Sequence, residues 1–162
     1  MKKNIRLVLL LELVLFLIVF FVCNILWTGS VNTIGNFIDL PSIIILIAVI
    51  IPGLLIMGVW KDFLKAFSVG IKEYNLLELK NIIQAVDAAQ KLTVYAAFFA
   101  IIPSAVIILI IVSKDMSVFG ANLAVCILSG FYAVIIEFLL LPLRLNAERK
   151  MNEEMDFEDE SI

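Results

Sequence analysis

Hydrophobic residues follow one another along this chain in four long runs, which shorter polar stretches separate. The runs cover residues 7–27, 41–60, 92–112 and 118–143. Each run reaches the roughly 20 residues that a helix needs to cross a hydrocarbon core about 30 Å thick. The pattern predicts an all-α, polytopic membrane protein with four transmembrane helices, surrounded by membrane lipids.

The stretch between the second and third runs, residues 61–91, keeps a helical pattern. Apolar residues recur about one helical turn apart where it begins, at Trp60, Phe63, Leu64, Phe67 and Ile71. This stripe predicts that the second helix continues into the cytoplasm or along the lipid headgroups.

The third helix has a start signal well before its apolar part. Asn75 and Glu78 have the spacing of a capping box, with asparagine as the N-cap. No Gly or Pro lies between Leu76 and Leu92. One helix of about 55 Å is therefore predicted from Leu76 to Val112, long enough to project beyond the membrane.

Basic residues are distributed unevenly around the four runs. Of the 12 Lys and Arg residues, only Lys114 lies in the connection between the third and fourth runs; the others precede the first run, follow the fourth, or lie in the segment 61–91. The positive-inside rule then predicts that both termini and the segment 61–91 are cytoplasmic.

Composition narrows the function classes. The chain is 63% hydrophobic, its mean hydropathy is +1.10 and it contains no histidine. We find no phosphate-binding loop, nucleophile motif or clustered metal ligands, so we expect no enzyme, no catalytic residue, no cofactor and no metal site. Nucleic acid is not an expected partner.

The acidic residues concentrate at the C-terminal end, where six lie among residues 153–160. We therefore divide the chain into one membrane domain, residues 1–150, and a disordered acidic tail, residues 151–162. The tail is interpreted as a solubilising segment or as a docking site for a basic partner.

Small and polar residues form a stripe along the fourth helix. At about 100° per residue, Asn122, Cys126, Ser129, Ala133 and Glu137 fall within an arc of roughly 80°. Lipid cannot satisfy a hydroxyl, amide or carboxylate, so such stripes occur where helices meet or line a water-accessible path. The stripe predicts assembly and leaves ion passage as a hypothesis.

The third helix has a similar face, with Ala97, Ala100 and Ser104 at helical spacing. These small residues predict another helix contact. Pro103 lies beside them and predicts a kink, because proline cannot donate the backbone hydrogen bond of a helix.

Two carboxylates interrupt the apolar runs, Glu12 in the first and Glu137 in the fourth. Because an intramembrane acid normally faces protein or water, each has two interpretations. It is a proton-accepting or cation-attracting site on an ion path, or an acid that reaches the membrane surface or bonds to a neighbouring helix. For Glu12 the nearby Arg6 favours the second interpretation.

Two segments resemble the MotA/TolQ/ExbB proton-channel family, and within it most closely the flagellar stator subunits. The first is the sequence FIDLPS at residues 37–42. The second is the fourth helix, through Gly120, Asn122, Leu123, Ala124, Val125, Leu128, Ser129, Tyr132, Leu141, Pro142 and Leu143.

The resemblance implies a homo-oligomer, a pentamer in the bacterial inner membrane, that surrounds a dimer of single-helix partners of the MotB/ExbD/TolR kind. The third and fourth helices would line its centre, and a partner aspartate would carry H⁺ or Na⁺. Residues expected to face the ion path or the partner are Ser129, Ser104, Asn122, Tyr132, Glu137, Ala133, Pro103 and Pro142.

The chain departs from the family pattern at three places. Ile102-Pro103 stands where the family commonly has Gly-Thr, Glu137 replaces a small residue, and the cytoplasmic segment 61–91 is far shorter than in flagellar stator subunits. Two alternatives to an ion-driven motor subunit therefore stay open. One is a non-conducting scaffold that keeps the ring, and the other is an unrelated small four-helix transporter.

Overall fold

The structure, a computed structural model, describes residues 5–30, 32–112 and 119–160. They form α1 (Ile5–Thr28), a 3-10 helix (Asn32–Phe37), α2 (Leu40–Ile56), α3 (Trp60–Ala66), α4 (Leu76–Val112) and α5 (Phe119–Glu160). By length and composition, four helical spans can cross a membrane: Ile5–Thr28, Gly35–Ile56, Leu76–Ile110 and Cys126–Asp156. The prediction of an all-α membrane protein with four such helices is confirmed.

α4 and α5 are the longest helices and pack along each other in opposite directions. Near one end Cys126 contacts Ile101, and near the other Arg144 pairs with Asp87 at 3.0 Å, so the chain order is reversed between the two helices. At 1.5 Å per residue, 37 and 42 residues are about 55 and 63 Å long. Both helices therefore exceed a hydrocarbon core of about 30 Å.

α4 begins where the capping box predicts. The Glu78 backbone N–H donates to Asn75 Oδ1 at 2.8 Å, and the Asn75 N–H donates to Glu78 Oε2 at 3.4 Å. The helix is continuous through Pro103 to Val112. The prediction of one long helix from Leu76 to Val112 is confirmed.

The second helix does not continue into the polar segment as predicted. α2 ends at Ile56, and Gly58 has a φ of 71°, a left-handed conformation that ends helices and favours glycine. The Val59 N–H then donates to Leu54 O at 3.1 Å, which closes the turn before α3. The apolar stripe belongs to this separate short helix and the turn after it, where Phe67 is half-buried.

The acidic segment also differs from its prediction as a disordered tail, because α5 continues to Glu160. Glu153 is paired with Arg149 at 3.4 Å and with Lys150, at the i,i+4 and i,i+3 spacings that support a helix surface. No Gly or Pro follows Pro142, so nothing in the sequence breaks the helix.

Two clusters of buried side chains hold the helices together. The larger joins α3, α4 and α5 through residues such as Ala66, Val86 and Leu143, and it also includes Ile5 of α1 and Leu54 of α2. The smaller joins α2, α4 and α5 through Leu46, Ala96, Ala97 and Ala133. In α1, by contrast, the buried residues are Ile5 and Asn24, so this helix is peripheral.

Candidate functional site between α2 and α5

The two segments that carry the family resemblance meet at a pair of serine hydroxyls. Ser42 lies in the first turn of α2, and Ser129 lies one-quarter of the way along α5. Their Oγ atoms are 2.8 Å apart, and the residues are 4% and 1% exposed. This contact joins positions 87 residues apart in the chain.

Asp39 extends the hydroxyl pair to a carboxylate. It is the N-cap of α2, and its Oδ2 accepts from the Ser42 backbone N–H at 3.3 Å and from the Ser42 hydroxyl. A serine hydroxyl has one proton to donate. Because the Ser42 hydroxyl uses its hydrogen in the bond to Asp39, it can only accept a hydrogen bond from Ser129. The chain of hydrogen bonds therefore runs from Ser129 through Ser42 to the Asp39 carboxylate.

Tyr132 attaches the segment before α2 to α5. Its hydroxyl accepts from the Asp39 backbone N–H at 2.6 Å and donates to Phe37 O at 2.5 Å. The Phe37 ring packs edge-on against Phe20 of α1, with centroids 4.9 Å apart, and also against Phe131 of α5. We call Phe37, Asp39, Ser42, Ser129 and Tyr132 the α2–α5 cluster.

The cluster lies well inside an apolar part of the molecule. Ser129 follows Phe119, the first residue of α5, by ten positions, which is about 15 Å along the helix. Ser42 and Ser129 are both buried, and buried polar groups need hydrogen-bond partners within the protein. Here the two serine hydroxyls bond to each other, and that of Ser42 also bonds to the Asp39 carboxylate. The Tyr132 phenol bonds to the Asp39 N–H and the Phe37 carbonyl.

The stripe on α5 packs inside the chain. Cys126 Sγ lies 3.5 Å from Ile101 O of α4, and Ala133 packs with Leu46 of α2 and Ala97 of α4. With Ser129, these residues lie where helices meet, as the stripe predicts, and the helices belong to one chain. The side chain of Asn122 lies outside the described residues.

Other predicted site residues are not part of the cluster. The Ser104 hydroxyl donates to Ala100 O of its own helix at 2.7 Å and is half-buried. Pro103 is exposed on α4. Pro142 lines a groove of about 230 Å³ beside Ile5 and Val8 of α1.

Glu137 lies about 12 Å further along α5 than Ser129 and is separate from the cluster. It lines a groove of about 300 Å³ between α4 and α5, together with Gln90, Lys91, Val94 and Tyr95. Within the described residues, Glu137 Oε1 and Glu12 Oε2 are buried oxygens with no hydrogen-bond partner.

Asp39 and Ser42 are site residues that the sequence analysis missed. Their signal is the order Asp, Leu, Pro, Ser, which places an N-cap, a proline in the first turn and a serine at the third helical position. That order is visible in the sequence, where it predicts only a helix start. The contact with Ser129 and Tyr132 depends on tertiary packing.

A second polar group closes the end of α1. The Thr33 hydroxyl donates to Asn24 Oδ1 at 2.7 Å, and Thr28 Oγ1 donates to Asn24 O at 2.8 Å. Asn24 is buried, and these bonds give its side-chain oxygen and its backbone carbonyl hydrogen-bond partners. We interpret this group as a structural cap.

No protein-family model matches this chain, and neither a curated protein nor a solved structure matches it. Membership of the MotA/TolQ/ExbB family therefore stays a prediction from the resemblance. Over residues 5–30, 32–112 and 119–160, no three His, Cys, Asp or Glu side chains are grouped as metal ligands would be.

Proposed function

We propose that this chain is the ring-forming subunit of an ion-driven motor or energy-transducing complex in a bacterial inner membrane, with both termini cytoplasmic. It would act with a single-helix partner of the MotB/ExbD/TolR kind. The observation that carries the proposal is the contact between Ser42 and Ser129. Through it, the two segments that resemble the family form one hydrogen-bonded unit although they are far apart in sequence.

The outer surface of the α4–α5 pair is suited to further helix contacts. Large apolar side chains are exposed on α4, among them Phe98, Phe99 and Ile102, and α5 exposes Ile127 and Val134. In the proposed ring these faces pack against neighbouring copies and the partner helices, and lipid covers the remainder. α1, which buries little of its surface, belongs to the outer layer.

The resemblance implies that Ser104 and Ser129 are the hydroxyls nearest the transported ion. A hydroxyl suits this role because it donates to a carboxylate and accepts from a hydrated ion without carrying charge. Ser129 is 1% exposed and bonded to Ser42, whereas Ser104 is half-buried and bonded only to its own helix among the contacts described. Ser104 is therefore the more accessible of the two.

The first test is the native mass of the complex after purification in mild detergent, with every co-purifying chain identified. Five copies with two single-helix partners support the proposal. A monomer or dimer that persists in lipid nanodiscs contradicts it and favours the unrelated four-helix transporter.

A second test measures H⁺ and Na⁺ flux in liposomes that contain the intact complex. Ser104→Ala should reduce flux without changing the native mass, and Ser68→Ala, in the polar segment after α3, is the matched control. A ring with no flux of either ion would favour the non-conducting scaffold. The observation behind that alternative is Ile102-Pro103, which lacks the hydroxyl that the family commonly has there.

A further inference from the structure

We propose that Glu137 and Gln90 form a proton-binding site in the groove between α4 and α5. The inference adds a proton-binding residue to the proposed function. It rests on that function only for the direction in which the proton moves. Proton binding itself is a property of the single chain and can be tested without a ring or a partner.

The groove contains one carboxyl group with one unused oxygen. The groove has a volume of about 300 Å³ and is open on one side to Tyr95 and Lys91, both of which are exposed. Gln90 of α4 and Glu137 of α5 line the same groove. In the part of the chain that the structure describes, Glu137 Oε1 is buried and has no hydrogen-bond partner.

The charges around Glu137 leave its carboxylate uncompensated. On α4 the nearest titratable groups along the groove are Lys91 and Tyr95, and among the described residues no ion pair joins Lys91 to Glu137. α2 contains no charged residue. α1 contributes Glu12, another acid, and Arg6, whose Nε donates to Phe67 O at 3.2 Å. The next charge on α5 is Arg144, which is already paired with Asp87 and Glu148.

A proton fits this site better than a metal cation. Metal cations need several oxygen ligands at once, whereas the groove offers one carboxylate, one amide and one phenol. A single proton neutralises the carboxylate and so removes the cost of burying its charge. In the proposed complex, the partner's carboxylic acid gives up this proton, Glu137 takes it up as a neutral acid, and water on the cytoplasmic side then receives it.

The test is labelling of the full-length chain in nanodiscs by dicyclohexylcarbodiimide, followed by peptide mass spectrometry. This reagent adds to a carboxylic acid: the acid proton moves to a carbodiimide nitrogen and the carboxylate oxygen bonds to the central carbon. The exposed Glu154 of the same molecule is the internal reference for a solvated acid.

We expect labelling of Glu137 at neutral pH to exceed that of Glu154 at least tenfold and to fall as the pH rises. Glu137→Gln should abolish the label on that peptide. Replacing KCl with NaCl at constant ionic strength should change nothing.

Two results would overturn the proposal. Labelling of Glu137 that follows Glu154 across the pH range would make it an ordinary solvated acid. Protection by NaCl but not by KCl would make the ligand Na⁺. An error in the proposed function would be detected by the native mass of the complex. It would not change the labelling of Glu137.

Discussion

Two polar regions within the apolar helices differ in how completely their polar groups are hydrogen-bonded. In the α2–α5 cluster, the hydroxyls of Ser42 and Ser129 bond to each other, and Ser42 also bonds to the Asp39 carboxylate. The Tyr132 hydroxyl bonds to two backbone groups. In the α4–α5 groove, Glu137 keeps a buried oxygen without a partner among the described residues. In the first region each of the three hydroxyls has a partner. In the second region a buried carboxylate oxygen has none among the described residues.

This difference predicts which variants change the stability of the fold and which change ion binding. A closed network of hydrogen bonds between helices fixes their arrangement, so changes there should destabilise the protein. An uncompensated carboxylate contributes little to packing, so changes there should affect ion binding and leave the fold intact. The variants below are ordered by the size of the expected effect on stability.

Ser129→Leu should have the largest effect, because it places a larger side chain where the residue is 1% exposed and also removes the bond to Ser42. Over-packing of a buried site costs about 1–3 kcal/mol, and we expect the upper end of this range. The free energy of unfolding can be measured by SDS titration in mixed micelles. Ala124→Leu adds the same side chain at an exposed position of α5 and should cost far less. Equal losses would contradict the tight packing of Ser129.

Tyr132→Phe should cost less but still be clearly measurable. It leaves the Asp39 N–H and the Phe37 carbonyl without their phenol partner. An unpaired buried backbone group costs about 1–3 kcal/mol. Tyr95→Phe, at an exposed tyrosine of α4, is the control in the same SDS titration and should be neutral. A neutral Tyr132→Phe would mean that water or lipid headgroups reach these backbone groups.

The bond between Ser42 and Ser129 should contribute a smaller coupling energy. Interhelical hydrogen bonds in membrane proteins average about 0.6 kcal/mol in double-mutant cycles. Ser42→Ala, Ser129→Ala and the double variant should give a coupling near this value. Ser104→Ala combined with Ser42→Ala should show none, since Ser104 bonds to its own helix. Additive losses for Ser42 and Ser129 would show that the two hydroxyls act independently.

Glu137→Gln should have the smallest effect on stability, within about 0.5 kcal/mol of the parent, the range for substitutions that break no network. Its expected consequence is chemical, the loss of carbodiimide labelling. A large destabilisation by Glu137→Gln would show that the carboxylate holds α4 and α5 together and would remove the contrast between the two regions.

Local patterns determine several features of this fold from the sequence alone. The length of the apolar runs predicts four spanning helices, because a bilayer requires about 20 apolar residues whatever the tertiary arrangement. Asn75 and Glu78 predict the start of α4, because a capping box is completed within four residues. The end of α2 is equally local, at Gly58, but the apolar periodicity on both sides of that glycine concealed it.

Only the tertiary structure decided which helix faces contact other helices of the same chain. The stripe with Cys126, Ser129 and Ala133 predicts a helix contact, but helical periodicity carries no information about whether the neighbour is another helix of this chain or another subunit. Packing assigns it to α2 and α4. The contact of Ser129 with Ser42 and the isolation of Glu137 also follow from how the helices are placed, because each depends on residues that are distant in sequence.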